Sequence, residues 1–86
     1  MHDFYLAQEI IDKIIKHARQ NKLSAVQAVK IELGAISEHN EEISPANLKY
    51  WFAKITNKNS LFVRTKFTIT TTKNKYYKIT SIKGSE

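Results

Sequence analysis

Ala7, Ile10, Ile11, Ile14 and Ala18 recur at three- and four-residue spacing, and Leu6 and Ile15 widen the stripe they make. That spacing predicts an amphipathic helix over residues 4–21, and a helix of this kind must lay its apolar face on a second apolar layer. The opposite face holds Glu9, Asp12, Lys13, Lys16 and Arg19. Glu9–Lys13 and Asp12–Lys16 are i,i+4 pairs with the acid first, the favoured order. Asp3 stands at the N-cap position, where its carboxylate could accept a first-turn N–H. Asn21 is a stop signal, and His17 sits in the last turn, where the helix dipole favours a partly exposed imidazole.

The rest of the chain must supply the layer that covers this stripe. Residues 25–33 read as a strand with Val29, Ile31 and Leu33 on one face and Lys30 and Glu32 on the other. Gly34 ends it in a turn, and a polar loop from Glu38 to Glu42 follows. Ser44-Pro45 is a helix start, with serine as N-cap and proline at the first helical position. Leu48, Trp51, Phe52 and Ile55 then mark an apolar stripe, with Trp51 expected to anchor this helix on the sheet. Residues 61–72 are β-branched and alternating, with Phe67 and Ile69 on the buried face. A short turn at Lys73-Asn74-Lys75 leads to a last strand over residues 76–83. Ile79 and Ile82 are three apart there, so a bulge is needed if both face inward. The expected fold is α+β: two helices on one face of a three-stranded sheet, in the order helix-strand-helix-strand-strand.

The chain has 86 residues and is expected to form one domain over 1–86. A domain of that size buries only about 60–65% of its unfolded surface. It has no cysteine, so neither a disulfide nor a thiolate zinc site can form. The acids Asp3, Glu9 and Asp12 argue against a signal peptide, and no run approaches the roughly 18 apolar residues that span a bilayer, so the cytoplasm is the expected location. Charge is unevenly placed. Residues 1–42 carry five Lys/Arg and seven Asp/Glu, whereas residues 43–86 carry nine Lys/Arg and one Glu, a local charge of +8. No phosphate-binding glycine loop, cysteine nucleophile or serine elbow is present, which speaks against an enzyme.

His2 gives the N-terminus a chelating geometry. The α-amine of Met1, the backbone nitrogen of His2 and its imidazole can close fused rings on one ion, and Ni(II) and Cu(II) accept such tetragonal nitrogen donors. Asp3 could add a carboxylate or act only as the cap. His39, among the acids of the loop, is either a further ligand or simply solvated.

Met1-His2-Asp3, then Leu6-Ala7-Gln8 with Ile10-Ile11, then Leu33-Gly34-Ala35-Ile36-Ser37 at the end of the first strand, resemble the HypA family of hydrogenase nickel-insertion proteins. The closing stretch from Tyr77 to Lys83 resembles that family's last strand. The resemblance implies a nickel site at Met1, His2 and Asp3, with a loop ligand near Asn40, for which His39 is a substitute. It also implies delivery of Ni(II) for [NiFe]-hydrogenase maturation, with the hydrogenase large subunit and an accessory maturation GTPase as partners. Two departures stand out. Asp3 replaces the family's glutamate, and the Cys-x-x-Cys zinc module between the last two strands is replaced by Thr72-Lys73-Asn74-Lys75, expected to be a short hairpin turn, with no structural zinc. Two other readings stay open. One is a metal-independent adaptor that binds an acidic partner through the basic half. The other, ranked last, is a nucleic-acid binder using Lys66, Lys73, Lys75 and Lys78 with Tyr76 and Tyr77. An exposed edge strand also leaves a homodimer open.

Overall fold

The computed structural model describes residues 3–34, 37, 38, 41–74 and 76–86, with residues 37, 38, 41 and 42 described by their backbone alone. The first helix, α1, runs Asp3–Gln20. Leu6, Ala7, Ile10, Ile11, Ile14 and Ala18 are all buried, so the stripe does what its spacing demands. Each large apolar side chain buried this way stabilises the fold by about 1.5–3 kcal/mol. Asp3 is the first helical residue rather than the N-cap, so its carboxylate opposes the positive end of the helix dipole from inside the first turn.

The end of α1 is a Schellman motif. Leu23 N–H donates to the Ala18 carbonyl at 2.9 Å, and Lys22 N–H donates to Arg19 at 3.3 Å. Asn21 adds a side-chain hydrogen bond to the His17 carbonyl at 2.8 Å. The motif forces Lys22 to φ 55°, a left-handed conformation that suits glycine. Lys22→Gly should therefore stabilise the protein by about 0.5–1 kcal/mol. The check is a higher urea midpoint with an unchanged m-value.

Strand β1 (Ala25–Leu33) sits in the middle of the sheet. Val29, Ile31 and Leu33 are buried and Lys30 is exposed, as the alternation requires. Val26 is buried as well, because the register with the last strand shifts between Val26 and Ala28 and resets the alternation. Next comes a two-stranded antiparallel ribbon of β2 (Ser37–Glu38) and β3 (Glu41–Glu42), in a stretch expected to be loop. Helix α2 (Pro45–Thr56) starts where Ser44-Pro45 places it, and the Ser44 hydroxyl accepts from Asn47 N–H at 3.1 Å. At its far end the buried Thr56 hydroxyl donates to the Phe52 carbonyl at 2.6 Å, so no polar atom of that side chain is stranded.

Residues 61–65 depart from the expected strand. Asn59 accepts from Leu61 N–H at 3.0 Å and caps a 3-10 turn, η1 (Ser60–Phe62), which tucks Phe62 into the core. Strand β4 is only Lys66–Thr71. Strand β5 is Tyr77–Ser85. Its expected bulge is present. Lys30 pairs with Ser81 and Ile31 with Ile79, which leaves Thr80 as the extra residue and turns both Ile79 and Ile82 onto the core.

The sheet order is β4-β1-β5, with β4 parallel and β5 antiparallel to β1. The α+β architecture and the order of elements are as expected; the hairpin between the last two strands is not. β4 and β5 do not pair with each other, because each takes one edge of β1. The most apolar strand thus occupies the position with both edges covered. The parallel β1–β4 pair needs a crossover connection, and α2 provides it. The link from β4 to β5 passes over the end of β1, where Thr72 N–H donates to the Leu33 carbonyl at 2.9 Å and Gly34 N–H donates to Tyr76 at 3.0 Å.

Candidate metal centre

The apolar phase of α1 turns Leu6 and Ala7 inward and leaves Phe4 and Tyr5 exposed beside a half-buried Asp3. Phe4 packs edge-on against Trp51 of α2, with ring centroids 5.2 Å apart. Trp51 packs in the same manner on Tyr50 at 5.1 Å, and Phe4 on Tyr5 at 5.5 Å. A row of four aromatic rings therefore ties the first turn of α1 to the middle of α2. Trp51 was expected on the sheet; it faces the start of α1 instead. Phe52, one residue on, fills the sheet-facing position and meets Phe67 at 4.8 Å. The sequence signal for this row lay in the aromatic pairs Phe4-Tyr5 and Tyr50-Trp51, each with a ring that the apolar stripes do not need.

Of the five candidate ligands, the structure describes only Asp3. Met1, His2, His39 and Asn40 lie outside the described residues. His39 and Asn40 fall between β2 and β3 in the chain, and Met1 and His2 directly precede α1. Among the described residues, no group of three or more His, Cys, Asp and Glu side chains could hold a metal ion. His17 is at the other end of α1, its ring nitrogen 3.4 Å from the Asn21 amide.

One polar cluster joins α1 to the sheet. The Tyr77 hydroxyl donates to Glu9, and the Lys13 ammonium lies 4.9 Å from the centre of the Tyr77 ring. Glu9 and Lys13 thus meet across the Tyr77 side chain. Burial, and then the bond to Glu9, push the Tyr77 phenol above its usual range, while the Tyr77 hydroxyl holds Lys13 in its charged form. A phenol whose pKa is raised on folding contributes stability that is complete below about pH 10 and is lost as pH climbs through the folded value. Tyr77→Phe should cost about 0.5–1.5 kcal/mol at neutral pH. It should also flatten the alkaline decline in stability, measured as thermal midpoints between neutral and strongly basic pH.

Residues 1–77 match the family model described as "Hydrogenase/urease nickel incorporation, metallochaperone, hypA". The chain belongs to the HypA family. Its fold is also that of the solution structure of the nickel metallochaperone HypA from Helicobacter pylori, with a TM-score of 0.79 and 11% identity, over 99% of this chain and 98% of that one. No curated protein matches it significantly. The HypA match takes in the N-terminal Met-His-Asp segment, α1, β1, α2 and β4, and stops at the first residue of β5. The absence of cysteine means that a thiolate zinc module of the kind the resemblance implies cannot be built from this chain.

Proposed function

We propose that this chain carries Ni(II) as cargo on its first three residues and releases it, by ligand exchange rather than catalysis, during hydrogenase maturation. The observation that carries this reading is the HypA family match, which begins at residue 1 and so includes the Met1-His2-Asp3 segment. The donors are the Met1 amine, the His2 backbone nitrogen and the His2 imidazole, a nitrogen set that suits a tetragonal ion. The positive end of the α1 dipole opposes a cation at this position, and the carboxylate of Asp3 in the first turn offsets it. His39 or Asn40 completes the set from the ribbon region. Few ligands and open coordination favour hand-off, since a closed cage would hold the ion.

The recipient in this reading is a hydrogenase large subunit or an accessory GTPase, and the setting is the cytoplasm. No helix among the described residues is long and apolar enough to cross a membrane. Residues 1–86 act as one nickel-binding domain.

Trp51 supplies the test. It is the sole tryptophan, and it packs on Phe4, two residues from His2. Titrating protein that carries a free Met1 amine with Ni(II) should quench tryptophan emission to a one-to-one end point. Acetylating that amine should remove the quench. Emission that stays constant, together with no heat of binding, would sink the proposal.

A further inference from the structure

A groove of about 540 Å³ opens between α2, from Lys49 to its C-terminal end, η1 and the start of β4. Lys49, Lys58 and Arg64 stand on its rim, and none of its lining residues is acidic. Ala53, Phe62 and Phe67 contribute its apolar part. Val63, on the same lip, is 75% exposed, the second most exposed large apolar side chain among the described residues. The groove therefore offers three cations around an apolar strip, in the half of the chain that carries the charge of +8.

We propose that this groove docks an acidic peptide segment of a partner protein, with carboxylates on Lys49, Lys58 and Arg64 and an apolar side chain against Val63. Charge complementarity selects the partner's sign, and the apolar strip selects a peptide over other anions. A single-stranded nucleic acid needs open aromatic faces on which to stack bases. Here Phe62 is 6% exposed and its ring stacks on Phe67 at 6.2 Å, so neither ring presents a free platform. A compact phosphate prefers a helix N-terminus, and this groove lies at the C-terminal end of α2, where the dipole repels concentrated negative charge. Carboxylates spread along a peptide and met by long, mobile side chains suit it better.

The placement has a consequence. Lys49 and Ala53 each lie about 160° around α2 from Trp51, and Trp51 faces Phe4 at the start of α1. The groove and the first turn of α1 thus use opposite flanks of one helix, so a partner held in the groove does not cover the Phe4–Trp51 contact. The docking surface does not depend on the nickel reading.

The test is fluorescence anisotropy of the full chain with a short labelled peptide in which one leucine is flanked by aspartate and glutamate. The K58E/R64E pair should weaken binding by at least about tenfold, since each reversal places like charges together. The K73E/K78E pair makes the same change in net charge outside the groove and should leave affinity within about twofold, the attraction there being screened. Val63→Ser, at an exposed position that leaves the fold intact, should weaken binding severalfold. Saturating Ni(II) should not alter the peptide affinity, so a chain that fails to bind nickel still reports on the groove. Equal losses in the two charge-reversal pairs would overturn the proposal, as would equal binding of a peptide with every acid replaced by its amide. Displacement of the peptide by oligothymidylate or pyrophosphate at lower concentrations than unlabelled peptide requires would overturn it as well, and would assign the groove to phosphate.

Discussion

Replacing His2 by alanine should weaken Ni(II) binding by at least about 100-fold, the upper end of what loss of even an outer-shell partner costs a metal site. The reason lies in the rings. The imidazole closes the second chelate ring, and without it the Met1 amine and a backbone nitrogen hold the ion through one ring alone. Isothermal calorimetry and Trp51 quenching should agree, because Trp51 packs on Phe4, which is two residues along the chain from His2. Acid should mimic the substitution. Imidazole and amine must both be deprotonated to bind, so affinity should fall as pH drops below about 8, where a free amine takes up its proton, and more steeply below about 6.5, where imidazole does too. Cu(II) should bind more tightly than Ni(II), and Zn(II) more weakly than Cu(II), in line with the intrinsic order of the divalent ions for nitrogen donors. Asp3→Asn should have a smaller effect, since it removes a charge near the ion and keeps the three nitrogens. Equal Ni(II) affinity in the wild type and His2→Ala would remove the N-terminal site and leave the family fold without its cargo position.

Gly34→Ala should destabilise the fold by at least about 3 kcal/mol, the upper end of ordinary overpacking costs. At 4–8 °C per kcal/mol for a chain of this size, the thermal midpoint should fall by roughly 12–24 °C. The residue ends β1 and is buried. A Cβ there would fall inside the van der Waals shells of the Asn74 and Tyr76 carbonyl oxygens. Both are backbone atoms, so no side chain can swing aside to make room. The backbone φ of Gly34 is not positive, so the requirement is for space rather than for left-handed geometry. The five residues of the link must carry the chain from one edge of β1 to the other, across two strand spacings of about 4.8 Å each. They can do so only by running close over the end of β1, and Gly34 lets them. A wild-type midpoint in Gly34→Ala would mean that the link takes another route. The zinc module that the resemblance places between the last two strands would sit at this same crossing, so the shortened link makes Gly34 a fixed point of the fold.

The elements were legible where a local pattern carries them. The α1 stripe, the Ser44-Pro45 start and the inward faces of Val29, Ile31 and Leu33 follow from periodicity and capping chemistry within a few residues, and the structure has all three. The bulge at Thr80 was legible too, because Ile79 and Ile82 cannot both face inward without one. Residues 61–65 misled, because Leu61, Phe62 and Val63 have strand composition. The Asn59 side chain overrides that preference by capping η1. For the site, Asp3 was placed at the head of α1 to within one residue. The other four candidates rest on the chelating geometry of His2 and on the family resemblance.

What the chain determined by itself was where both helices and the three strands of the main sheet lie, to within a few residues, and which of their faces are apolar, since both follow from spacing along the backbone. The tertiary structure alone decided what each face and edge meets. Periodicity identifies an apolar face without naming its neighbour, and it is the same whether β5 pairs with β4 or with β1. The central place of β1, the turn of Trp51 toward Phe4 and the close passage over Gly34 all come from contacts between residues far apart in sequence, where competition for the most apolar strand selects the pairing.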